Sequence, residues 1–166
     1  MRDVLHNMSV FIDGVGRIGD AATVRPPVLT MHIEDFMGGG MNTPLPVHLG
    51  TEKLGAEIEM NGVHRQSFAL FGLAPGVIKP FTIHGALASS DGTKIGITMH
   101  MRGFIEEIDE GDWVNQEIAK TNIKLALNYY RRLEEGVEKL EIDVLLGTIK
   151  TDGIDQTQWM KDRLYL

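Results

Sequence analysis

The second half of the chain contains three consecutive segments in which apolar and polar residues alternate, and this pattern constrains the fold most. The segments are residues 94–108, 118–130 and 138–146. A period of two places the apolar side chains on one face of an extended strand, so each segment is predicted to be a half-buried β-strand. Gly136 and the triplet Thr151-Asp152-Gly153 mark short turns. Because short turns join antiparallel neighbours, the sequence predicts a mostly antiparallel sheet.

The alternation also predicts which face of each strand is buried. In the segment 94–108 the apolar residues in phase are Ile95, Ile97, Met99, Met101 and Ile105. In the segment 118–130 they are Ile123, Leu125, Leu127 and Tyr129. Four further strands are predicted in the first half of the chain, at residues 8–13, 28–33, 53–60 and 80–87.

Helices are predicted at two places. Asn61 is a candidate N-cap for a helix through Phe71, with Gly72 as the left-handed stop. The tail at residues 155–164 is predicted to form a second, short helix, with Asp155 and Gln158 as a capping pair. The chain is therefore expected to be mainly β, of α+β type, with one principal helix flanking the sheet.

Length and composition limit the class of protein. We expect 166 residues to form one domain, residues 1–166. The chain has no cysteine, so disulfides and thiolate chemistry are excluded. Its net charge of −7 argues against a nucleic-acid-binding surface, which requires a basic face. The N-terminus lacks the pattern of a signal peptide, and we expect a soluble product of the cytoplasm.

Residues 36–50, which read FMGGGMNTPLPVHLG, are predicted to be a long loop without secondary structure. Its apolar residues make it unsuited to float freely in water, so we interpret it as an arm that buries itself against something. The residues assigned to this arm are Gly38, Gly39, Gly40, Met41, Pro44, Leu45, Pro46 and Val47.

An acidic run of six carboxylates without a basic residue spans positions 106–117. Such a run is either a solvated loop or a surface that binds a basic partner. The candidate patch comprises Glu106, Glu107, Asp109, Glu110 and Asp112, with Glu117 beyond it.

No motif for catalysis, a cofactor or a metal is convincing. Residues 14–19 match G-x-G-x-x-G, but Pro26 and Pro27 follow too soon for the helix that a dinucleotide site requires, so a glycine-rich turn is predicted. The six histidines lack the spacing of metal ligands. We therefore predict no enzyme activity, no cofactor and no metal.

Strands of this kind would leave open edges in a monomer, and closure into a ring removes that liability. An ordered set of motifs covers nearly the whole chain. The set consists of N-x-x-VFIDG at 7–14, GGGM with P-x-P-V-x-L-G at 38–50, FGLA at 71–74, MRGFIEEIDEGDW at 101–113, NYYRRL at 128–133, EKLEID at 138–143 and IKTDGID at 149–155. In this set the chain resembles the major tail tube proteins of contractile-tailed bacteriophages and R-type pyocins.

The resemblance implies an antiparallel β-barrel or sandwich whose copies close into hexameric rings, which stack into a hollow tube inside a sheath. It implies as partners the sheath, the tape measure protein in the lumen, the baseplate and terminator proteins, and, in a phage, DNA that passes without specific binding. The product would be part of a virion tail or a pyocin-like particle assembled in the bacterial cytoplasm. The arm would then contact a neighbouring ring, and the acidic patch would dock on the sheath or an adjacent ring. Strands near 94–108 and 118–130 are expected to be edges that pair across subunits.

Two alternatives remain open on the residues alone. The first is a monomeric β-barrel that binds a small molecule in an apolar interior. The second is a hydrolase that uses the acidic cluster.

Overall fold

The computed structural model describes residues 3–16 and 20–165. Within them the chain forms twelve strands and two short helices. The strands are β1 Asp3–Ile12, β2 Val15–Gly16, β3 Ala21–Arg25, β4 Met31–Phe36, β5 Leu45–Thr51, β6 Leu54–Asn61, β7 Lys79–Ser89, β8 Lys94–Asp109, β9 Lys120–Glu134, β10 Val137–Asp143, β11 Thr148–Thr151 and β12 Ile154–Asp155; the helices are α1 Arg65–Phe68 and α2 Gln158–Leu164.

All the strand pairs are antiparallel, which confirms the predicted sheet type. Ten strands form one sheet in the order β12-β11-β10-β9-β8-β7-β1-β2, with β6 on β9 and β3 on β6. The strands β4 and β5 pair only with each other, in a separate two-stranded sheet.

The long strands β8 and β9 lie at the centre of the large sheet. One side of β8 pairs with β7 and the other with β9. The second side of β9 pairs first with β6, from Lys120 to Leu127, and then with β10. The expectation that these two strands are edges is therefore wrong for most of their length, because both of their hydrogen-bonding sides are occupied within one chain. The exception is β8 beyond Gly103, which pairs with β9 but no longer with β7.

Three two-residue turns connect hairpins in this fold. They are Asp13-Gly14, Glu135-Gly136 and Asp152-Gly153, and in each both residues have positive φ. This is the type I′ geometry, whose twist matches that of antiparallel strands. The turns predicted at Gly136 and at 151–153 are confirmed. Gly14 likewise lies in a turn rather than at the start of a helix, while residues 17–19 of that motif lie outside the described residues.

One apolar cluster forms the core between the strands. It includes Val10, Ile58, Ile83, Ile123 and Leu125, each at most 1% exposed. The buried faces of β8 and β9 follow the predicted alternation as far as Leu127. Beyond that point the prediction is wrong, because Tyr130, not Tyr129, is buried. The register between β8 and β9 shifts at Asn128, and this one extra residue exchanges the faces to which the following side chains of β9 point.

The predicted helix over 61–71 is reduced to the four residues of α1. Asn61 is the last residue of β6, and Gly62 follows it with a φ of +91°, so the helix starts only after His64. Gly72 does adopt the predicted left-handed conformation, at φ +69°. None of the described helices is long and apolar enough to cross a membrane.

The tail helix α2 is present, but the capping pair is not formed. Gln158 Nε2 donates to Asp162 Oδ1 at 2.8 Å instead. Asp155 accepts hydrogen bonds from the Thr157 amide at 2.9 Å, the Thr157 hydroxyl at 2.7 Å and Lys161 Nζ at 2.9 Å. These bonds lower the pKa of Asp155 to about 2, the Thr157 hydroxyl contributing most.

Candidate assembly interface

Residues 36–50 form most of a β-hairpin rather than a loop without secondary structure. Phe36 of β4 faces Leu45 of β5, and Asp35 faces Pro46. The prediction failed here because Pro44 and Pro46 were counted against a strand. Both strands of this hairpin are edge strands, where proline is tolerated. We call the hairpin of β4, β5 and their connection the arm.

The glycines of the arm form its tip. The Met41 amide donates to the Gly38 carbonyl at 3.2 Å, and the Gly38 amide faces Met41 Sδ at the same distance. Gly40 has a φ of +85°, which favours glycine. A Cβ on Gly38 would lie 3.3 Å from the Phe36 ring. The arm residues predicted from the sequence are thus brought together at the tip and in β5.

The apolar side chains of the arm are exposed. The exposed fractions are 55% for Ile33, 59% for Phe36, 58% for Met37, 53% for Leu45 and 58% for Leu49. A two-stranded ribbon in water is marginally stable at best. The described residues of one copy therefore leave the apolar surface of the arm exposed to solvent.

The base of the arm is fixed to the chain that follows it. His32 Nδ1 lies 2.8 Å from Glu52 Oε1, and the Glu52 amide donates to the Thr30 carbonyl at 2.8 Å. Gly50 has a φ of +140° where β5 turns towards β6. These contacts orient the ribbon without covering its faces.

The acidic patch is divided between a strand and a loop. Glu106, Glu107 and Asp109 belong to β8, so the reading of the whole run as a loop is wrong. Glu106 Oε1 lies 2.8 Å from Lys53 Nζ, and Glu107 Oε1 lies 2.9 Å from Lys124 Nζ. The hydrogen bond and charge of Glu107 raise the pKa of Lys124. These two carboxylates are neutralised within the chain.

The remaining acids lie at or beyond the end of β8. Asp109 Oδ1 accepts a hydrogen bond from the Gly111 amide at 2.9 Å and shapes the turn that leaves the strand. Asp112 and Glu117 are exposed in the connection from β8 to β9. Within residues 3–16 and 20–165, Glu110, Asp112 and Glu117 form no ion pair, and they therefore carry the free negative charge of the patch.

A polar network covers the outer face of the large sheet. The Arg102 guanidinium lies 4.0 Å from the ring centroid of Tyr129, whose hydroxyl donates to Glu141 at 3.0 Å. Burial, together with Arg131 and His84, lowers the pKa of His100. The described residues contain no group of three or more His, Asp or Glu side chains arranged to hold a metal ion. The network therefore joins neighbouring strands through cross-strand pairs.

Sequence reasoning missed an apolar groove beside β8. It has a volume of about 480 Å³ and lies between residues 70–78 and the strands β8 and β9. Phe71 and Phe104 line it and are each 50% exposed. The available signal was Phe104 itself, an aromatic residue in the polar phase of an alternating strand.

Comparisons with known proteins place this arrangement among tube-forming proteins. The sequence profile of the family described as phage tail tube protein FII matches residues 2–164. The chain is 31% identical over 155 residues to the tail tube protein of Escherichia phage P2, covering 91% of this chain and 90% of that protein. It is 30% identical over 151 residues to the major tail tube protein of Serratia phage KSP20, covering 90% and 87%.

Solved structures share the fold at low sequence identity. A chain of the PVC sheath–tube complex of an extracellular contractile injection system, in its extended state, matches with a TM-score of 0.58 at 12% identity, over 77% of this chain and 88% of that chain. A chain of the anti-feeding prophage baseplate, 6-fold symmetrised, matches with a TM-score of 0.52 at 11% identity, over 76% and 90%.

Proposed function

The chain belongs to the phage tail tube protein FII family and is a structural subunit of the inner tube of a contractile tail, and we propose that it builds this tube as hexameric rings stacked inside a sheath. The observation that carries the proposal is the arm, a ribbon whose apolar side chains Ile33, Phe36, Leu45 and Leu49 are more than half exposed. Each ring would supply the cover for the arms of its neighbour, so that assembly completes the burial that one copy leaves unfinished.

The arm is proposed as the contact between stacked rings, through Gly38, Gly39, Gly40, Met41, Pro44, Leu45, Pro46 and Val47. The tip turns at glycines, which lets its backbone approach another surface closely. The strand β5 then presents Leu45, Val47 and Leu49 in the same phase. This arrangement suits a ribbon that lies along a neighbouring subunit.

The acidic patch at Glu106, Glu107, Asp109, Glu110 and Asp112 is proposed to dock on basic groups of the sheath or of an adjacent ring. The pairing of Glu106 and Glu107 with lysines leaves Glu110 and Asp112 as the members best able to attract such groups. Exposed charges of this kind act mainly on encounter and on the choice of partner, and they are screened by salt.

The similar structures and the family suggest the other partners. The solved complexes include a sheath, a terminator and a baseplate. We propose corresponding partners for this chain, with a tape measure protein in the lumen and, in a phage, DNA that passes through without specific binding. Residues 1–166 would act as one tail-tube domain without catalytic activity or a cofactor. Tail tube proteins are virion components, and assembly is proposed to occur in the host cytoplasm.

Electron microscopy of the purified chain at increasing concentration tests this function. We expect rings with six subunits and, at higher concentration, tubes made of stacked rings. Class averages with sixfold symmetry would support the hexamer, and rings of another symmetry would correct it. A chain that stays monomeric at every concentration would contradict the proposal.

A further inference from the structure

The apolar groove beside β8 is a second uncovered apolar surface, in addition to the arm. Its wall is formed by Phe71, Val77 and Ile78, and its other side by Phe104. These four side chains are between 37% and 50% exposed. An apolar groove of about 480 Å³ is large enough for several buried side chains.

The uncovered surface continues beyond the groove. The Asn128 carbonyl accepts a hydrogen bond from the Val144 amide at 3.0 Å, which holds the turn after β10 beside the groove. Val144, Leu145 and Leu146 in that turn are 54%, 76% and 68% exposed. The Asp143 carboxylate accepts from the amides of Leu145 and Leu146, so the turn is held with these side chains outward.

We propose that this groove receives the arm of a second copy of the chain. The inference rests on the proposed stacking of rings and names the surface on which the arm would lie. The arm carries the matching chemistry, because Phe36, Met37 and Leu45 cluster at its tip and are each more than half exposed.

Area and charge agree with this occupant. A fully buried aromatic side chain contributes roughly 150–250 Å², so each of the two half-exposed phenylalanines can add about half of that, and with the apolar turn they supply part of the roughly 800 Å² per partner of a specific interface. Glu106 at the rim is held by Lys53, and so it does not repel Glu34 and Asp35 of an incoming arm.

Cysteine cross-linking tests the contact directly, because the chain has no cysteine of its own. Met37→Cys and Val77→Cys subunits would be purified separately, mixed, assembled and oxidised. Met37→Cys mixed with Val137→Cys is the matched control, since Val137 is exposed but lies at the turn between β9 and β10. We expect a covalent dimer from the first mixture and at least tenfold less from the control.

A second variant separates docking from folding. Phe104→Asp is expected to reduce the cross-link at least tenfold, with an unchanged circular dichroism spectrum, while Phe104→Leu retains it. Tubes of stacked rings without the Met37–Val77 cross-link, or with an equal cross-link in the control, would overturn the groove as receptor and leave the tube function intact. Absence of rings from the unaltered chain would remove both proposals.

Discussion

At the residue scale, Gly103 is the position where the fold tolerates no side chain. A Cβ there would lie 2.0 Å from the Ala126 carbonyl oxygen, an atom of the backbone that cannot move aside. We expect Gly103→Ala to destabilise the chain by about 1–3 kcal/mol or more, as overpacking does. Gly96→Ala is the control in the same strand, because its Cβ would meet only the flexible Glu135 side chain, at 3.4 Å. Urea unfolding measures both, and equal midpoints would contradict the close approach.

The carboxylates of the acidic patch are also separable residue by residue. Glu110→Gln with Asp112→Asn removes charge that no lysine neutralises, and we expect weaker association with the sheath, most clearly at low ionic strength. Glu106→Gln with Glu107→Gln instead frees Lys53 and Lys124 from their ion pairs. The first double variant is expected to weaken association more than the second.

Co-sedimentation of tubes with sheath protein over a series of salt concentrations measures this difference. The variant with alanine at Glu106, Glu107, Asp109 and Glu110 is expected to show the largest loss of association. Unchanged association of all three variants at every salt concentration would show that the patch is a solvated surface.

At the element scale, the arm is separable from the rest of the fold. Its strands form their own sheet, so deletion of residues 38–49 leaves every ladder of the ten-stranded sheet in place. We expect a folded chain that no longer polymerises. The control is Val137→Ala, at an exposed position at the turn between β9 and β10, outside the arm. Negative-stain microscopy checks polymerisation and circular dichroism checks the fold; normal tubes from the deletion variant would contradict the role of the arm.

The second element with a specific test is α2, which has no buried residue. It is attached through Asp155, Thr157 and Lys161. Because the pKa of Asp155 is lowered to about 2 from 3.8, its contribution to stability is complete above pH 3.8 and is lost as the pH falls through about 2. The amide resonance of Thr157, followed by NMR during acid titration, is expected to shift with a midpoint near that value.

Asp155→Asn is expected to abolish this shift and to loosen α2 already at neutral pH. Asp162→Asn is the control on the same helix, because within the described residues the Asp162 carboxylate accepts a side-chain hydrogen bond from Gln158 alone. A Thr157 titration that persists in Asp155→Asn would contradict the assignment of the shift to Asp155.

The elements also show what the sequence alone could predict. Alternation identified β6, β8 and β9 with their buried faces because one face of each packs on the core. It failed after Leu127, since the bulge at Asn128 depends on the pairing with β8 and has no local signature. The helix before Gly72 was overpredicted because an apolar stripe cannot reveal the positive φ of Gly62.

The candidate interface was likewise predicted only in part from the sequence. The arm residues were found from their composition, but their hairpin pairing was not, because prolines disfavour a strand only where it has two neighbours. The groove was missed because segment 70–78 and Phe104 are brought together by the bridge of Phe71 to Ile105. Residues distant in sequence form it, and no periodicity within either segment reports their contact.

At the scale of the whole molecule, the uncovered arm and groove make stability depend on assembly. A partner that binds only the folded state raises the free energy of unfolding, and for self-association the effect grows with protein concentration. We therefore expect the melting temperature of the unaltered chain to rise with its concentration, with a part of the rise in the range in which rings stack into tubes. The chain without residues 38–49 can still close into rings but cannot stack, so it is expected to lose that part of the rise.

Differential scanning calorimetry over a hundredfold range of concentration measures this dependence for both chains. The comparison separates two origins of stability, because the core of Val10, Ile58, Ile123 and Leu125 is the same in both. Phe104→Asp retains the arm and removes the apolar wall of its proposed receptor, so it should resemble the deletion. If both variants keep the full rise of the unaltered chain, the rings stack mainly through other surfaces, such as the outer edges of β1 and β3.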